Sequence, residues 1–228
     1  MSQVVISDAG KERLLRTEDD IKTGFSFLDV VKKTDNLPAD YDSNSNFIKH
    51  NISLYSHDGS FLLGYMLVST YKKIENNEVL FAAFNALFED LAVDDLNSQK
   101  SLTLKAVSPE DNYNALFEDF ANKARSSNIF ECTKGWRNEK YTIYDKNNKP
   151  YIKLERAMVT IFGILTFGVH INGYFFDDNN RLRMWIPRRS AKKPTWPLKL
   201  DNVVAGGLGN DDSVDTTLWK ELKEEANL

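Results

Sequence analysis

Apolar residues recur at helical spacing in three stretches of the chain, at residues 7–33, 79–93 and 113–125, and each stretch predicts an amphipathic helix. The apolar side of the first one consists of Leu14, Leu15, Ile21, Phe25 and Leu28. A segment rich in Pro, Asn, Asp and Ser follows at residues 35–46 and is predicted to form a loop.

Strand-like runs occur in pairs around short turn signals, and each pair predicts a β-hairpin. "ISLYS" and "FLLGYMLVS" flank "HDG", "YTIYD" and "YIKLE" flank "KNNKP", and runs at 166–177 and 181–190 meet at "DDNN". From residue 156 onward the chain is rich in strands, including a run at 200–209. We therefore predict an α+β fold with one domain over residues 1–152 and a second over residues 153–228.

Two nine-residue stretches are nearly identical, "FNALFEDLA" at 84–92 and "YNALFEDFA" at 113–121. They indicate either an internal repeat or one efficient amphipathic helix sequence used twice. Their flanks do not match and a solenoid needs more copies, which favours the second interpretation.

Composition narrows the class of protein. The chain has 228 residues, of which 42% are apolar and 12% aromatic, as is typical of a globular protein. A net charge of −4 and the lack of a long basic run do not favour nucleic acid or a membrane as partner. The single Cys132 fits a reducing compartment, and the first residues are polar and acidic, unlike a signal peptide. We expect a cytoplasmic protein.

The C-terminal residues predict a helix that begins at Asp212 or Ser213 and runs to Ala226. Its apolar stripe consists of Val214, Leu218, Leu222 and Ala226, with Trp219 at the edge. Three carboxylates, Glu221, Glu224 and Glu225, lie beside or within this stripe. Negative charge in a last helical turn opposes the helix dipole, so local energetics do not favour this arrangement.

Two interpretations of these glutamates are open. Clustered carboxylates are natural ligands for a hard divalent ion, Mg²⁺ or Mn²⁺, and the preceding Gly206 and Gly207 would let a backbone carbonyl approach that ion. Alternatively, the glutamates form an ordinary solvated helix face.

The spacing resembles the Nudix box, which is Gly, five residues, Glu, seven residues, Arg-Glu, an aliphatic residue, any residue, Glu-Glu, any residue, Gly and an aliphatic residue. The chain matches this spacing from Gly206 to Leu228. Asp212 replaces Glu, Lys220 replaces Arg, and Asn227 replaces the second Gly. Asn227 tolerates the left-handed conformation that Gly offers at a helix end.

Residues 162–208, with "GVHINGY" at 168–174 and "WIPRRS" at 185–190, resemble a more specific group. It is the Nudix subfamily found in yeasts and plants beside, or fused to, thiamine pyrophosphokinase. "GWRNEKY" at 135–141 and much of residues 20–135 resemble the helper domain that precedes Nudix in that subfamily. The resemblance implies a mixed α/β helper domain followed by the first half of a Nudix α/β/α sandwich, in a chain that stops just after the box.

The family implies a hydrolase acting on phosphoric anhydrides, a Mg²⁺-dependent (or Mn²⁺-dependent) pyrophosphohydrolase with a small-molecule diphosphate as substrate. The subfamily suggests thiamine diphosphate or its oxidised analogues, converted to monophosphates. By matching positions, Glu221, Glu224 and Glu225 would be catalytic and hold the metal with Gly207, while Gly206, Asp212 and Lys220 would support the site. A non-catalytic Nudix-like binding module is the alternative.

Basic residues precede the box, and they are the candidates for binding the diphosphate. These candidates are Arg188, Arg189 and Lys192, with Lys193 beside them. A solvent-facing basic edge would give the same pattern. His170 is expected to be either a half-buried structural histidine or a substrate contact, and Trp185 and Trp196 either pack or stack on an aromatic ring.

Overall fold

The computed structural model of the chain describes residues 4–6, 12–14, 18–24, 26–34, 37–94, 99–107, 112–193, 196–210 and 212–227. These residues belong to two compact units, 1–47 and 48–228. The predicted division at residues 152 and 153 stays a prediction, and those two residues lie within one strand, Pro150–Glu155.

The helices that the structure describes are α1 (Glu18–Lys22), α2 (Phe27–Thr34), α3 (Ser45–His50), α4 (Val68–Glu75), α5 (Glu78–Leu87), α6 (Tyr113–Ser127), α7 (Val159–Phe162) and α8 (Val214–Glu221). Short 3₁₀ turns cover Glu131–Gly135 and Arg156–Met158, and a π turn covers Leu222–Ala226. None of these helices combines the length and the apolar character that crossing a membrane requires.

The described strands are β1 (Val4–Ile6), β2 (Glu12–Leu14), β3 (Asn51–Tyr55), β4 (Leu62–Leu67), β5 (Ala92–Asp94), β6 (Gln99–Thr103), β7 (Lys140–Tyr144), β8 (Pro150–Glu155), β9 (Gly168–Ile171), β10 (Tyr174–Phe176), β11 (Leu182–Met184) and β12 (Val204–Gly207). The α+β class is therefore confirmed, whereas the predicted domain arrangement stays a prediction.

The first unit corrects one prediction. Residues 7–33 were expected to form one helix, but Glu12–Leu14 is a strand paired antiparallel with Val4–Ile6. The helical part is limited to α1 and α2. Residues 7–11, 15–17 and 25 of that stretch lie outside the described residues.

In the second unit, β3 and β4 form the predicted antiparallel hairpin, and β3 also pairs in parallel with β6. The resulting sheet has the order β4-β3-β6-β5. Helices α5 and α6 pack on its apolar residues, and five phenylalanines form the centre of the core. These are Phe84, Phe88, Phe117, Phe120 and Phe162.

The later hairpins are also confirmed. β7 pairs antiparallel with β8, and β10 pairs antiparallel with β11 across the "DDNN" turn. β9 pairs antiparallel with β12, which places Val169 opposite Gly206 and Gly168 opposite Gly207. Helix α8 packs on this β9–β12 pair. This last arrangement positions the candidate site.

Candidate active site

A cavity of about 1130 Å³ lies where the start of β7, the β9–β12 pair, the segment around residues 187–190 and helix α8 meet. Six basic and five acidic side chains line it. The basic ones are Arg137, Arg156, Arg188, Arg189, Lys193 and Lys220, and the acidic ones are Glu139, Asp201, Glu221, Glu224 and Glu225. Such a mixture can hold an anion and a cation side by side.

Helix α8 begins with a capping box, which fixes the residue at which the helix starts. The Ser213 hydroxyl accepts from the Thr216 N–H at 3.1 Å, and the Thr216 hydroxyl accepts from the Ser213 N–H at 2.8 Å. The helix continues through a π turn, and Asn227 ends it with φ 55°, in the left-handed conformation predicted from the box. Both predicted helix limits are therefore confirmed.

The predicted apolar stripe of this helix is only partly correct. Leu218, Leu222 and Ala226 are half-buried, but Val214 is 57% exposed. The fully buried residue of the helix is Thr217, at 1% exposure. Because Thr217 and Glu221 are four residues apart, they share one helix face, and that face brings Glu221 inward.

Glu221 is the glutamate that the fold holds most closely. Its carboxyl group lies so close to Gly206 that a Cβ on residue 206 would overlap it. Burial raises the pKa of Glu221, and the negative charges of Glu225 and Glu224 raise it further. The glycine of the predicted box is therefore needed to admit a carboxylate.

The next residue of β12 contacts a different part of the chain. A Cβ on Gly207 would overlap the hydroxyl group of Tyr141, which comes from β7. Because successive strand residues point to opposite faces, Glu221 and Tyr141 lie on the two faces of β12. The glycine pair thus leaves both faces of the strand open to the cavity.

The predicted basic residues divide into two groups. Arg188, Arg189 and Lys193 line the cavity, whereas Lys192 lies outside its lining. Arg189 forms an ion pair with Asp201, and that hydrogen bond holds the pKa of Asp201 below its usual range. Lys193 Nζ lies 3.7 Å from Glu225 Oε1, so one cation already faces the glutamates.

His170 lies in β9 and lines the cavity as an exposed residue. Its Nδ1 lies 2.9 Å from Asn202 Oδ1, and Asn202 Nδ2 donates to Asn172 Oδ1 at 2.8 Å. Since an amide oxygen only accepts, Nδ1 carries the hydrogen, which leaves Nε2 of the neutral ring as an acceptor. His170 is therefore exposed rather than half-buried, and its role as a substrate contact stays a prediction.

Among the predicted site residues, the cavity brings together Glu221, Glu224, Glu225, Gly206, Gly207, Lys220, Arg188, Arg189 and His170. Asp212 lies outside the lining and donates its N–H to the Gly209 carbonyl at 3.4 Å. Sequence reasoning missed Arg137, Glu139, Tyr141 and Arg156 as lining residues. Three of these lie in "GWRNEKY". The resemblance of that stretch to the family is the sequence signal that could have identified them.

The donor set fits a divalent metal ion in its chemistry. Glu221, Glu224 and Glu225 supply hard oxygen ligands, and their mutual repulsion is what a cation relieves. In this conformation the carboxylates do not converge. Within the described residues, no three His, Cys, Asp or Glu side chains form a group that could hold a metal ion. The side chains of Glu224 and Glu225 are exposed, whereas Glu221 is half-buried.

Comparison with known proteins adds independent evidence. Residues 95–166 match a family described as a domain of unknown function, DUF4743. The chain is 39% identical over 223 residues to an uncharacterized protein of Saccharomyces cerevisiae. The aligned residues make up 97% of the chain and 62% of that relative. The resemblance to the subfamily beside thiamine pyrophosphokinase stays a prediction.

Two further relatives carry the Nudix name. The chain is 45% identical over 95 residues to Nudix hydrolase 20, chloroplastic, of Arabidopsis thaliana, covering 41% of the chain and 25% of that relative. It is 33% identical over 86 residues to an uncharacterized Nudix hydrolase of Nostoc, covering 38% of the chain and 49% of that relative. The chain is therefore related to Nudix hydrolases over about two fifths of its length.

Proposed function

We propose that this chain carries the site of a Nudix-type pyrophosphohydrolase that converts small diphosphate compounds to monophosphates. The observation that carries the proposal is the contact between Gly206 and the Glu221 carboxyl group, inside a cavity that also contains arginines. The names of the relatives from Arabidopsis thaliana and Nostoc support the same reaction class. The resemblance to the thiamine-related subfamily suggests thiamine diphosphate, or its oxidised analogues, as the substrate.

Glu221, Glu224 and Glu225, with the backbone carbonyl of Gly207, are the residues that would hold Mg²⁺ or Mn²⁺. When bound, such an ion polarises a phosphoryl group and lowers the pKa of a water molecule. Lys220 and Lys193 lie beside these carboxylates and balance part of their charge.

The chain's other residues bind and orient the substrate. Arg188 and Arg189 offer planar donor groups that match phosphate oxygens, and Asp201 holds Arg189 in place. In the reaction, a water oxygen bonds to one phosphorus atom and the bridging P–O bond breaks. The products are a monophosphate, inorganic phosphate and a proton, which one of the carboxylates accepts. Cationic side chains stabilise the charge that develops on the phosphoryl oxygens.

Phosphorus NMR of the chain with Mg²⁺ and oxothiamine diphosphate tests the proposal. We expect the monophosphate signal to grow with the unaltered chain and to be absent with Glu225→Gln. A nucleoside diphosphate in a parallel tube tests the substrate class, because equal turnover of both would reject a preference for thiamine compounds. Hydrolysis that persists at the same rate in Glu225→Gln would contradict the catalytic assignment.

One observation favours a second function, a non-catalytic binding module. Within the described residues the carboxylates do not converge into a metal-ligating group. A binding module would hold a diphosphate compound with or without Mg²⁺ and release no monophosphate. Its affinity would be unchanged in Glu224→Gln and Glu225→Gln, whereas the enzyme loses turnover in both.

The remaining predictions concern partners and location. A small-molecule partner, rather than nucleic acid or a membrane, remains our proposal on the basis of charge and composition. A cytoplasmic location likewise remains a prediction.

A further inference from the structure

Four side chains of the cavity come from residues 137–156, inside the stretch that matches a domain of unknown function, and three of them can donate hydrogen bonds to an anion. These three are Arg137, Tyr141 and Arg156, and neither the box nor its known spacing includes them. Their contacts differ from those of ordinary surface residues.

Tyr141 is only 8% exposed, yet it lines the cavity. Within the described part of the chain its hydroxyl group has no hydrogen-bond partner, and it lies against the backbone of Gly207. The ring is buried, but the hydroxyl oxygen is not among the buried unpaired polar atoms of the described residues, so it opens onto solvent in the cavity. This hydroxyl is therefore a donor that faces the cavity and is available to a ligand.

Arg156 holds the Tyr141 ring in position. Its guanidinium group lies 5.6 Å from the centre of the ring and forms an ion pair with Glu139 at 2.8 Å. The backbone N–H of Arg156 also donates to the backbone carbonyl of Glu139 at 2.8 Å. Arg156 is thus a positioning residue that keeps spare N–H donors beside the cavity.

Arg137 supplies a cation that is not neutralised by an ion pair among the described residues. It is exposed and lines the cavity. Its backbone N–H donates to the buried carboxylate of Glu155 at 3.3 Å, which anchors its main chain. A fixed main chain with a free guanidinium group is suited to binding an anion.

The strand that carries these residues is tied to the rest of the site. The N–H of Asn210 donates to the Lys140 carbonyl at 2.7 Å, and the Thr142 hydroxyl donates to Asn210 Oδ1 at 2.8 Å. Asn210 lies in the connection between β12 and α8. The start of β7 is therefore held beside the glycine pair.

We propose that the domain of unknown function supplies the phosphate-binding wall of this cavity, with Arg137 and the Tyr141 hydroxyl donating to phosphate oxygens and Arg156 positioning Tyr141. The assignment rests on the proposed function, because it names the wall that holds the diphosphate of the substrate. Glutamates alone would repel such a group, so donors from outside the box are needed to bind it.

Isothermal titration with methylenediphosphonate and Mg²⁺ tests this assignment, because this diphosphate analogue is not hydrolysed. We expect Arg137→Gln to raise the Kd about tenfold or more, and Tyr141→Phe to raise it about fivefold. Lys146→Gln and Tyr144→Phe are controls that remove a positive charge and a tyrosine hydroxyl group from exposed positions of the β7–β8 hairpin outside the cavity lining. Thermal unfolding of each variant excludes loss of the fold as the cause.

An unchanged Kd in both Arg137→Gln and Tyr141→Phe overturns the assignment, and so does an unaltered chain that fails to bind the analogue. Turnover of oxothiamine diphosphate by the same proteins separates this result from the proposed function. If the unaltered chain binds through Arg137 and Tyr141 without turnover, the assignment stands and the enzymatic function fails. If turnover is found and neither substitution changes KM or Kd, only the assignment fails.

Discussion

The aromatic residues of the second unit occur in two contrasting environments. Before residue 163, the phenylalanines of the core are almost completely buried. The centre of the Phe162 ring lies 5.4–6.2 Å from the ring centres of Phe88, Phe117 and Phe120. After residue 163, Tyr174, Phe176, Trp185 and Trp219 are exposed. The same residue types therefore stabilise the first region and contribute little burial in the second.

The two environments separate the buried apolar core from the candidate site. Residues 51–162 provide the apolar packing that favours folding. The candidate site is built around the β9–β12 pair, which is held by backbone pairing, a capped helix and ion pairs. Substitutions of the buried core residues should change the free energy of unfolding, whereas substitutions of residues that line the cavity should mainly change ligand binding and turnover.

The largest expected effect is on the core. Phe162→Ala should lower the free energy of unfolding by about 3–5 kcal/mol, because it removes a buried ring and leaves a cavity. Phe176→Ala, at a ring that is 59% exposed, should change that free energy by less than about 0.5 kcal/mol. Urea unfolding of both variants checks this contrast, and equal losses would break the comparison.

Gly206→Ala should impair turnover, although it adds only one methyl group. The new Cβ overlaps the Glu221 carboxyl group, so Glu221 must move. Because the overlapped atoms belong to the end of a flexible side chain, the free energy of unfolding should change little. We expect turnover to fall by about tenfold to a hundredfold, as expected when a reacting group is misplaced. Gly135→Ala is the control, because a Cβ there meets no atom within 4 Å. Steady-state kinetics with normal turnover in Gly206→Ala would refute the role of this contact.

A smaller effect is expected from relieving repulsion between carboxylates. Glu221 and Glu225 are four residues apart and repel each other by about 0.2–0.5 kcal/mol. Glu225 also faces Lys193 at 3.7 Å, so in the absence of metal Glu225→Gln should change the free energy of unfolding by less than about 0.5 kcal/mol. Mg²⁺ should raise the melting temperature of the unaltered chain more than that of the variant. Thermal melts with and without Mg²⁺ measure both shifts, and identical shifts would argue against binding at Glu225.

The smallest effect concerns acid stability at Asp201. Arg189 lowers the pKa of Asp201 in the folded state, so this pair stabilises the fold above the unfolded-state pKa of about 3.9. That contribution is lost as the pH falls through the lower, folded-state pKa. Asp201→Asn should therefore show a flatter decline of the free energy of unfolding below about pH 4. Parallel curves for the two proteins would contradict the prediction.

Several elements could be predicted because their signals are local. The hairpins follow from alternating residues around turn signals, as for β7 and β8. Helix α8 follows from Ser213 at its start and Asn227 at its end, since capping depends on side chains within a few residues. Gly206 and the glutamates were found by their spacing alone.

The two nearly identical nonapeptides show the limit of local signals. "YNALFEDFA" at 113–121 is helical throughout, as predicted. "FNALFEDLA" at 84–92 leaves the helix after Leu87, so the predicted helix over 79–93 is wrong beyond that residue. Phe88 pairs with Leu104, and the Glu89 N–H donates to the Thr103 carbonyl at 2.8 Å. Pairing with Thr103 and Leu104, which are distant in sequence, therefore ends helix α5 at Leu87.

The local elements, the capped terminal helix and the spacing of its glutamates follow from the amino-acid sequence, because those features depend on neighbouring residues. Only the tertiary structure decided that Glu221 lies on Gly206 and that Arg137 and Tyr141 line the same cavity. Contacts between residues 15 and 66 positions apart, as in these two cases, depend on how strands pair and helices pack, which no local pattern specifies.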